Sequence, residues 1–484
     1  MREISEREIT ERFNFDNPWW SESVGIDPEF RKFPEREYLP LFKKLVLELD
    51  INRAVILMGP RRVGKTVLVY QTIQHLLDSG VPGRNIFYMS LETPMYTGLG
   101  LEKLILMFQK LFNHDKHSNL YIFFDEIQYL KDWEIHLKSL VDSYRKYKFT
   151  ATGSAAAALR LKSKESGAGR FTEFLLPPLT FAEYLKFIKK ENELINEKGE
   201  SDDKFYSTNK IDSLNEEFLR YLNFGGYPEA VFSPHIQADS SRYIKSDIID
   251  KVLLRDLPSL YGINDIQELN RLFTTVAYNT GDEVSLEALS KSSGVAKNTI
   301  KKYLEYLEAA FLIKIVHRID RNARHFERAT TFKVYLTNPS MRAALFGPVK
   351  SNDEAMGNLT ETAIFSQWFH NIMFIENIYY ARWKNGEVDI VACDQKSQKP
   401  IWAVEVKWSD RYFDHPAELS ALIDFLAMNK MKLSPVITTM TKRGNKIFND
   451  ISLEFIPSSI YCFTVGKNIV QRVPALYVNN VRTE

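Results

Sequence analysis

Short apolar runs bounded by turn residues alternate, along the first third of the chain, with stretches whose apolar positions recur every three or four residues. Ala54 to Met58, AVILM, predicts a buried strand. It runs into GPRRVGKT, Gly59 to Thr66, and then into VLVYQTIQHLL, which predicts a helix with Val67, Tyr70, Ile73 and Leu77 on one face, stopped by Gly80 and Pro82. Tyr121 to Glu126, YIFFDE, predicts a second strand, closing in two carboxylates. Trp133, Leu137, Leu140 and Tyr144 at helical spacing read as a core-facing stripe. Phe149 to Thr152 predicts a third strand, ending in Gly153-Ser154. The fold class these runs predict is α/β.

Beyond residue 190 the grammar changes. Residues 190 to 216 are polar with no periodic apolar face and are expected to form a surface excursion. YLNFGGYPEA, Tyr221 to Ala230, punctuates the chain with two glycines and a proline, and helical signal resumes through Tyr243 to Leu257. Over residues 262 to 337, Ser285 caps LEALSKSS, Gly294 makes a turn, and IKKYLEYLEAAFLI follows with Ile300, Leu304 and Leu307 inward. Two strand-like runs, IKIVHRI and TFKVYLT, complete the pattern of a winged helix. The last third reads as a helix, TETAIFSQWF, and three strands, IYYARW, EVDIVAC and IWAVEVKWS.

Composition narrows the class. The 484 residues suggest about three domains at roughly 150 residues each. Hydrophobic residues make up 44% and charged residues 26%, an ordinary globular mixture. The formal net charge of +1 excludes a uniformly basic nucleic-acid binder but not a local basic patch. Two cysteines, Cys393 and Cys462, exclude a disulfide scaffold or a Cys-rich zinc site. MREISEREITERFNF has no apolar core, so no secretory signal is expected there. No apolar run approaches the ~20 residues of a membrane helix. A cytoplasmic chain with no membrane partner is expected.

The chemistry starts at GPRRVGKT. A strand, a glycine-bounded loop and a helix form the context of a P-loop. Backbone N–H groups of Gly59, Pro60, Arg61, Arg62, Val63, Gly64, Lys65, Thr66 and Val67 (all but Pro60, which has none) surround the position of a phosphate, and the helix N-terminus adds its dipole. Lys65 brings a point charge to the β- and γ-phosphates, and Thr66 a hydroxyl ligand for Mg²⁺. In YIFFDE, Asp125 is expected to hold Mg²⁺ through water and Glu126 to polarise the attacking water. Thr152 or Ser154, at the end of the third strand, is expected to face the γ-phosphate as a sensor. Asn209-Lys210-Ile211-Asp212 spells the guanine-reading NKxD, but no apolar strand precedes it, and no DxxG follows Asp125. It reads as coincidence, and ATP is the expected nucleotide.

GPRRVGKT, FFDEIQYL, DWEIHLKSLVD, ATGSA and ESGAGRFTEFLLPPLTFAEYL, in that order over roughly residues 17 to 260 and starting at Asn17-Pro18-Trp19-Trp20, resemble the P-loop ATPases of the AAA-related archaeal and bacterial group, kin to STAND and ORC-type ATPases. The resemblance implies a parallel-sheet ATPase core, a helical lid, ATP binding with Mg²⁺, and hydrolysis. It implies a phosphate-sensing or finger role for Arg170 in GAGRF. The implied layout is an N-terminal segment (1–48), core (49–180), helical lid (181–261), winged helix (262–340) and C-terminal α/β domain (341–484).

Two further sites are expected. Lys297, Asn298, Lys301 and Lys302 open the second helix of the winged-helix pattern, and Arg318, Arg321, Arg324, His325 and Arg328 crowd its wing. These suit contact with the phosphates of duplex DNA, while packing alone explains them as well. In the last third, Glu405 and Lys407 share a strand face, Val404, Val406 and Trp408 take the other, and a hairpin brings Asp389 alongside. Two carboxylates and a lysine are what metal-assisted phosphodiester hydrolysis uses. This resembles the PD-(D/E)xK restriction-endonuclease-like fold, with Val388 in place of the usual proline. The resemblance implies Asp389 and Glu405 as metal ligands, Lys407 beside them, and Glu361 as the helical acid. The functions that follow are an ATP-driven switch on DNA or a protein partner, an ATP-gated Mg²⁺-dependent nuclease, or a non-catalytic DNA-binding regulator; an oligomer or a protein partner is compatible with each.

Overall fold

The computed structural model describes residues 5–21, 24–96, 98–153, 169–196, 205–324 and 330–479. The chain divides into two compact units, Met1–Pro177 and Pro178–Glu484.

The first unit is built on a five-stranded sheet: β1 (Ala54–Met58), β2 (Ile86–Ser90), β3 (Leu120–Asp125), β4 (Tyr147–Gly153) and β5 (Phe171–Leu175). The strand order is β2-β3-β4-β1-β5, and every pairing is parallel. All five residues of β1 are buried, as a strand covered on both faces requires. The order brings the carboxyl ends of β1, β3 and β4 together, where ligands of open α/β sheets bind. The helix Lys65–Asp78 follows β1. Its buried positions are Lys65, Leu68, Val69, Gln71, Thr72, Ile73 and Leu76, so of the expected stripe only Ile73 is fully buried. The N-terminal segment explains the wider burial: Phe30 stacks on Tyr70 with ring centres 4.3 Å apart, and Trp19 meets the same ring edge-on. The helix Trp133–Ser143 buries Trp133, Leu137 and Leu140 as the spacing predicts.

The same N-terminal segment closes the open edge of β2. Asn17 uses its side-chain amide as a strand would use a peptide group, donating to Tyr88 O at 2.9 Å and accepting from Tyr88 N at 2.7 Å. The indole N–H groups of Trp19 and Trp20 donate to Ile86 O at 3.1 and 2.8 Å.

The second unit carries a nine-stranded mixed sheet. Its strands are β6 (Glu283–Ser285), β7 (Ile313–Ile319), β8 (Thr331–Leu336), β9 (Ile378–Trp383), β10 (Gly386–Cys393), β11 (Pro400–Glu405), β12 (Val436–Thr439), β13 (Gly444–Phe448) and β14 (Ile451–Pro457), in the order β13-β14-β12-β11-β10-β9-β7-β8-β6. The helices Leu286–Ser293 and Lys297–Ala309, joined through left-handed Gly294, stand beside β6, β7 and β8. A parallel seam of Arg318↔Tyr380 and Ile319↔Ala381 joins these strands to β9–β14. β9, β10 and β11 form an antiparallel meander, and β12 then runs parallel to β11.

Two differences from the sequence reading concern residues 178–261. The helix Ile211–Phe224 begins inside the expected surface excursion and buries Leu214, Phe218, Tyr221 and Leu222, because its stripe extends beyond the polar stretch. The NKxD residues therefore lie at a helix start, not at a strand end. The helix Phe181–Phe187 is tied into the C-terminal body: Phe181 N donates to Gln367 Oε1 at 3.0 Å, and Gln367 Nε2 donates to Tyr221 OH at 3.1 Å.

Candidate functional site

Gly59 to Thr66 leave the end of β1 and turn into the helix Lys65–Asp78. A Cβ on Gly59 would stand 2.2 Å from Leu176 O, so only glycine fits that close approach. Gly64, at φ 94°, is the left-handed residue that starts the helix. Lys65 is buried, and its Nζ donates to Gly59 O at 3.0 Å and Pro60 O at 2.7 Å. Arg36 braces the loop from beneath, donating to Val63 O at 2.9 Å and Pro177 O at 3.0 Å.

Asp125 faces the loop from the end of β3. Thr66 Oγ1 donates to its Oδ2 at 3.0 Å, Tyr88 OH donates to the same oxygen at 2.9 Å, and Thr152 Oγ1 donates to Oδ1. Burial, with Glu126 behind it, raises the Asp125 carboxyl above its ordinary range against the pull of these three hydroxyls. Burial and the Asp125 charge hold the Tyr88 phenol well above its usual value, so it stays a donor. Glu126 takes a left-handed backbone, φ 54°. Its N–H donates to Thr152 Oγ1 at 3.1 Å, and its carboxylate accepts from Gln128 Nε2. Thr152 thus touches both acids. Ser154 lies outside the described residues.

Arg170 is not brought to this site. It precedes β5 at the level of Ala54, whereas the P-loop leaves the opposite end of β1 after Met58. At about 3.3 Å per residue that is a full strand length away. Its guanidinium pairs with Asp142 at 2.8 Å.

In the second unit, Asp389 and Glu405 lie on neighbouring antiparallel strands and share one lysine. Lys407 Nζ is 2.7 Å from Glu405 Oε1 and 3.6 Å from Asp389 Oδ2. The carboxylates therefore face the same side, as the hairpin reading expected. Asp389 also accepts from Val406 N at 2.8 Å. Burial raises the Asp389 carboxyl, but Lys407, Lys333 and that N–H together bring it below the ordinary carboxylate value. Burial and the Asp389 charge push Glu405 up to about 7, against Lys407. Glu405 is 8% exposed, and its Oε2 has no hydrogen-bond partner. Glu361, on the helix Met356–Trp368, reaches the cluster through Lys333. Among the described residues, no group of three or more His, Cys, Asp or Glu side chains is arranged to hold a metal ion.

The charges expected on a wing are partly spent within the fold. Arg318 donates to Thr331 Oγ1 at 3.4 Å, and Arg321 lies 3.6 Å from Asp424. Lys301, Lys302 and Arg324 are exposed. His325 and Arg328 lie outside the described residues.

Comparison with known proteins bears on the first site. Residues 51–185 match the family described as AAA domain, and residues 215–352 match a domain of unknown function, DUF8612. The segment 51–185 is thus similar to AAA domains, and it contains the P-loop Gly59 to Thr66. An uncharacterized protein of Haemophilus influenzae is 25% identical over 366 residues, which cover 72% of this chain and 82% of the relative. The uncharacterized protein MJ1544 of Methanocaldococcus jannaschii is 25% identical over 357 residues, 72% of this chain and 74% of the relative. Among solved structures, AMPPCP-bound DnaA from Aquifex aeolicus has a TM-score of 0.30 at 10% identity, over 58% of this chain and 92% of that one. Cdc6p from Pyrobaculum aerophilum has a TM-score of 0.28 at 14% identity, over 68% and 97%. The AAA domain holds Lys65, Thr66, Asp125, Glu126 and Thr152. Sequence reasoning missed Tyr88 and Gln128 inside it and Arg36 ahead of it. No helix among the described residues is long and apolar enough to cross a membrane.

Proposed function

We propose that this chain is an ATP-binding, ATP-hydrolysing switch whose nucleotide state governs how its C-terminal half meets DNA or a protein partner. The observation that carries this reading is the convergence of P-loop and strand end, with the Thr66 hydroxyl 3.0 Å from the Asp125 carboxylate. Two hard oxygen donors side by side suit Mg²⁺, which would supply charge neutralisation at the phosphates. Lys65 exchanges the carbonyls of Gly59 and Pro60 for phosphate oxygens. Tyr88 and Thr152 orient Asp125. Glu126, once released by Gln128, orients the attacking water and accepts its proton. The pairing of Arg170 with Asp142 is at odds with a phosphate-sensing role within the same AAA domain. The five segments 1–48, 49–180, 181–261, 262–340 and 341–484 are kept as working domains, with the helix-turn-helix and its strands read as a winged helix.

The test is ATP turnover by the purified chain with Mg²⁺, with and without duplex DNA. Wild type is expected to turn over ATP in preference to GTP, and Lys65→Ala to lose nucleotide binding. Equal turnover in wild type and Lys65→Ala would overturn the reading.

A second reading has its own observation. The unpartnered Glu405 Oε2 beside Asp389 and Lys407 supports a Mg²⁺-dependent nuclease-like site, with Asp389 and Glu405 as the metal-holding acids. The helix Met356–Trp368 followed by the β9–β10–β11 meander and parallel β12 supports the same fold reading. Loss of DNA cleavage in Asp389→Ala, with ATP turnover unchanged, would separate it from the first. Absence of cleavage in wild type favours DNA binding without catalysis.

A further inference from the structure

The acidic cluster of the second unit already contains a cation that the sequence reading did not assign. Lys333 sits in the middle of β8, and its side chain is 3% exposed. Its ammonium lies 2.6 Å from Glu387 Oε1, 2.8 Å from Glu361 Oε1 and 3.6 Å from Asp389 Oδ1. The other groups facing the cluster are Lys407 and Arg382, which pair with Glu405 and Glu387, and Tyr335, whose hydroxyl donates to Glu361. A buried lysine is retained charged only where carboxylates repay its desolvation, and here three converge on it from the helix Met356–Trp368 and from β10. Glu405 Oε2 is left buried and without a partner.

We propose that Lys333 is a tethered counter-cation that competes with a divalent metal ion for this cluster. In the resting fold the ammonium takes the carboxylate charge that would otherwise draw the metal in. A divalent cation held by Asp389 and Glu405 meets a like charge already bound to Asp389, and like charges at that range repel strongly where water is excluded. Because Lys333 belongs to β8, next to the helix-turn-helix, the proposal links metal admission to the strand that carries the wing. It rests on the reading of Asp389 and Glu405 as metal ligands.

The experiment is a Mn²⁺ titration of the full, nucleotide-free chain, with free Mn²⁺ followed by its electron paramagnetic resonance signal. Glu405→Gln in each background isolates the binding that belongs to this cluster. Lys333→Met is expected to bind Mn²⁺ at least about tenfold more tightly than wild type, in a manner lost with Glu405→Gln. Lys333→Arg, which keeps the charge, is expected to behave as wild type. Lys333→Met with Glu361→Gln removes a carboxylate along with the ammonium and gives the same comparison if the single variant does not fold. Equal Glu405-dependent affinity in wild type and in the Met variants overturns the competition while leaving the metal site standing. No Glu405-dependent binding in any background overturns both.

Discussion

Asp125 accepts from three hydroxyls, those of Thr66, Tyr88 and Thr152. Tyr88 lies outside the P-loop, on the strand beside β3, and orients the carboxylate of Asp125, the proposed Mg²⁺ ligand. Tyr88→Phe removes one donor and is expected to raise the Mg²⁺ concentration for half-maximal ATP turnover by on the order of tenfold, as loss of an outer-shell partner does. The turnover rate at saturating Mg²⁺ should stay near wild type; a fall there with an unchanged Mg²⁺ requirement would reject the positioning role. Glu126→Gln should instead leave nucleotide binding intact and slow hydrolysis by on the order of 10². Single-turnover assays beside binding titrations check the split. Lys65, Thr66, Asp125 and Glu126 were legible because their chemistry is written in contiguous residues. Tyr88 was not, since it arrives from a neighbouring strand whose motif is only apolar. Lys333 left a faint signal, a lone lysine inside TFKVYLT, and Glu387 another, two residues before Asp389 on the same strand.

At the scale of elements, Lys148 ties β4 to the segment that leads into β1. Its ammonium donates to Glu48 O at 2.8 Å and Ile51 O at 3.4 Å, and burial pushes its pKa down to about 8. Below pH 8 both folded and unfolded chains carry the proton, and the folded one bears the cost of burying the charge. Between about 8 and the ordinary lysine value the unfolded chain holds more protons, so stability rises with pH and the cost disappears above that window. A tenfold change in proton affinity is worth about 1.4 kcal/mol, which makes the effect on the order of 3 kcal/mol. Unfolding of the first unit, followed from pH 7 to 10.5, should therefore become harder in wild type than in Lys148→Met, measured as the change in their stability difference. A difference that does not move with pH would refute the burial argument. Element existence was well read from periodicity, but the face of the helix Lys65–Asp78 was not. Periodicity reports one apolar stripe, and this helix is covered by the sheet and by aromatic rings from residues 19 and 30, which no local pattern encodes.

For the molecule as a whole, the charge near neutrality hides an uneven distribution of cations. Arg318 and Arg321 are engaged by the fold, while Lys301, Lys302 and Arg324 are exposed. Duplex DNA affinity should fall steeply with salt, and replacing those three exposed residues with Ala should flatten the log–log slope by roughly 0.9 for each phosphate left unneutralised. Fluorescence anisotropy across a salt series measures it, and an unchanged slope moves DNA to another surface. The strand sequence of the second unit was legible run by run. That β7 and β9 join through two residue pairs to make one sheet was not, because parallel pairing between distant runs leaves no mark in either.

The residues before the P-loop strand have a consequence for handling the protein. Asn17, Trp19 and Trp20 occupy the hydrogen-bonding edge of β2 with side chains in place of a sixth strand. Trimming the chain to start near residue 48 would bare that edge together with the apolar surface of Phe87 and Phe108 on which Trp20 lies. An open edge flanked by exposed rings templates strand addition from another molecule. Such a shortened chain is expected to self-associate, with light scattering that grows with concentration and time, and a peptide spanning residues 5–21 added in excess should suppress it.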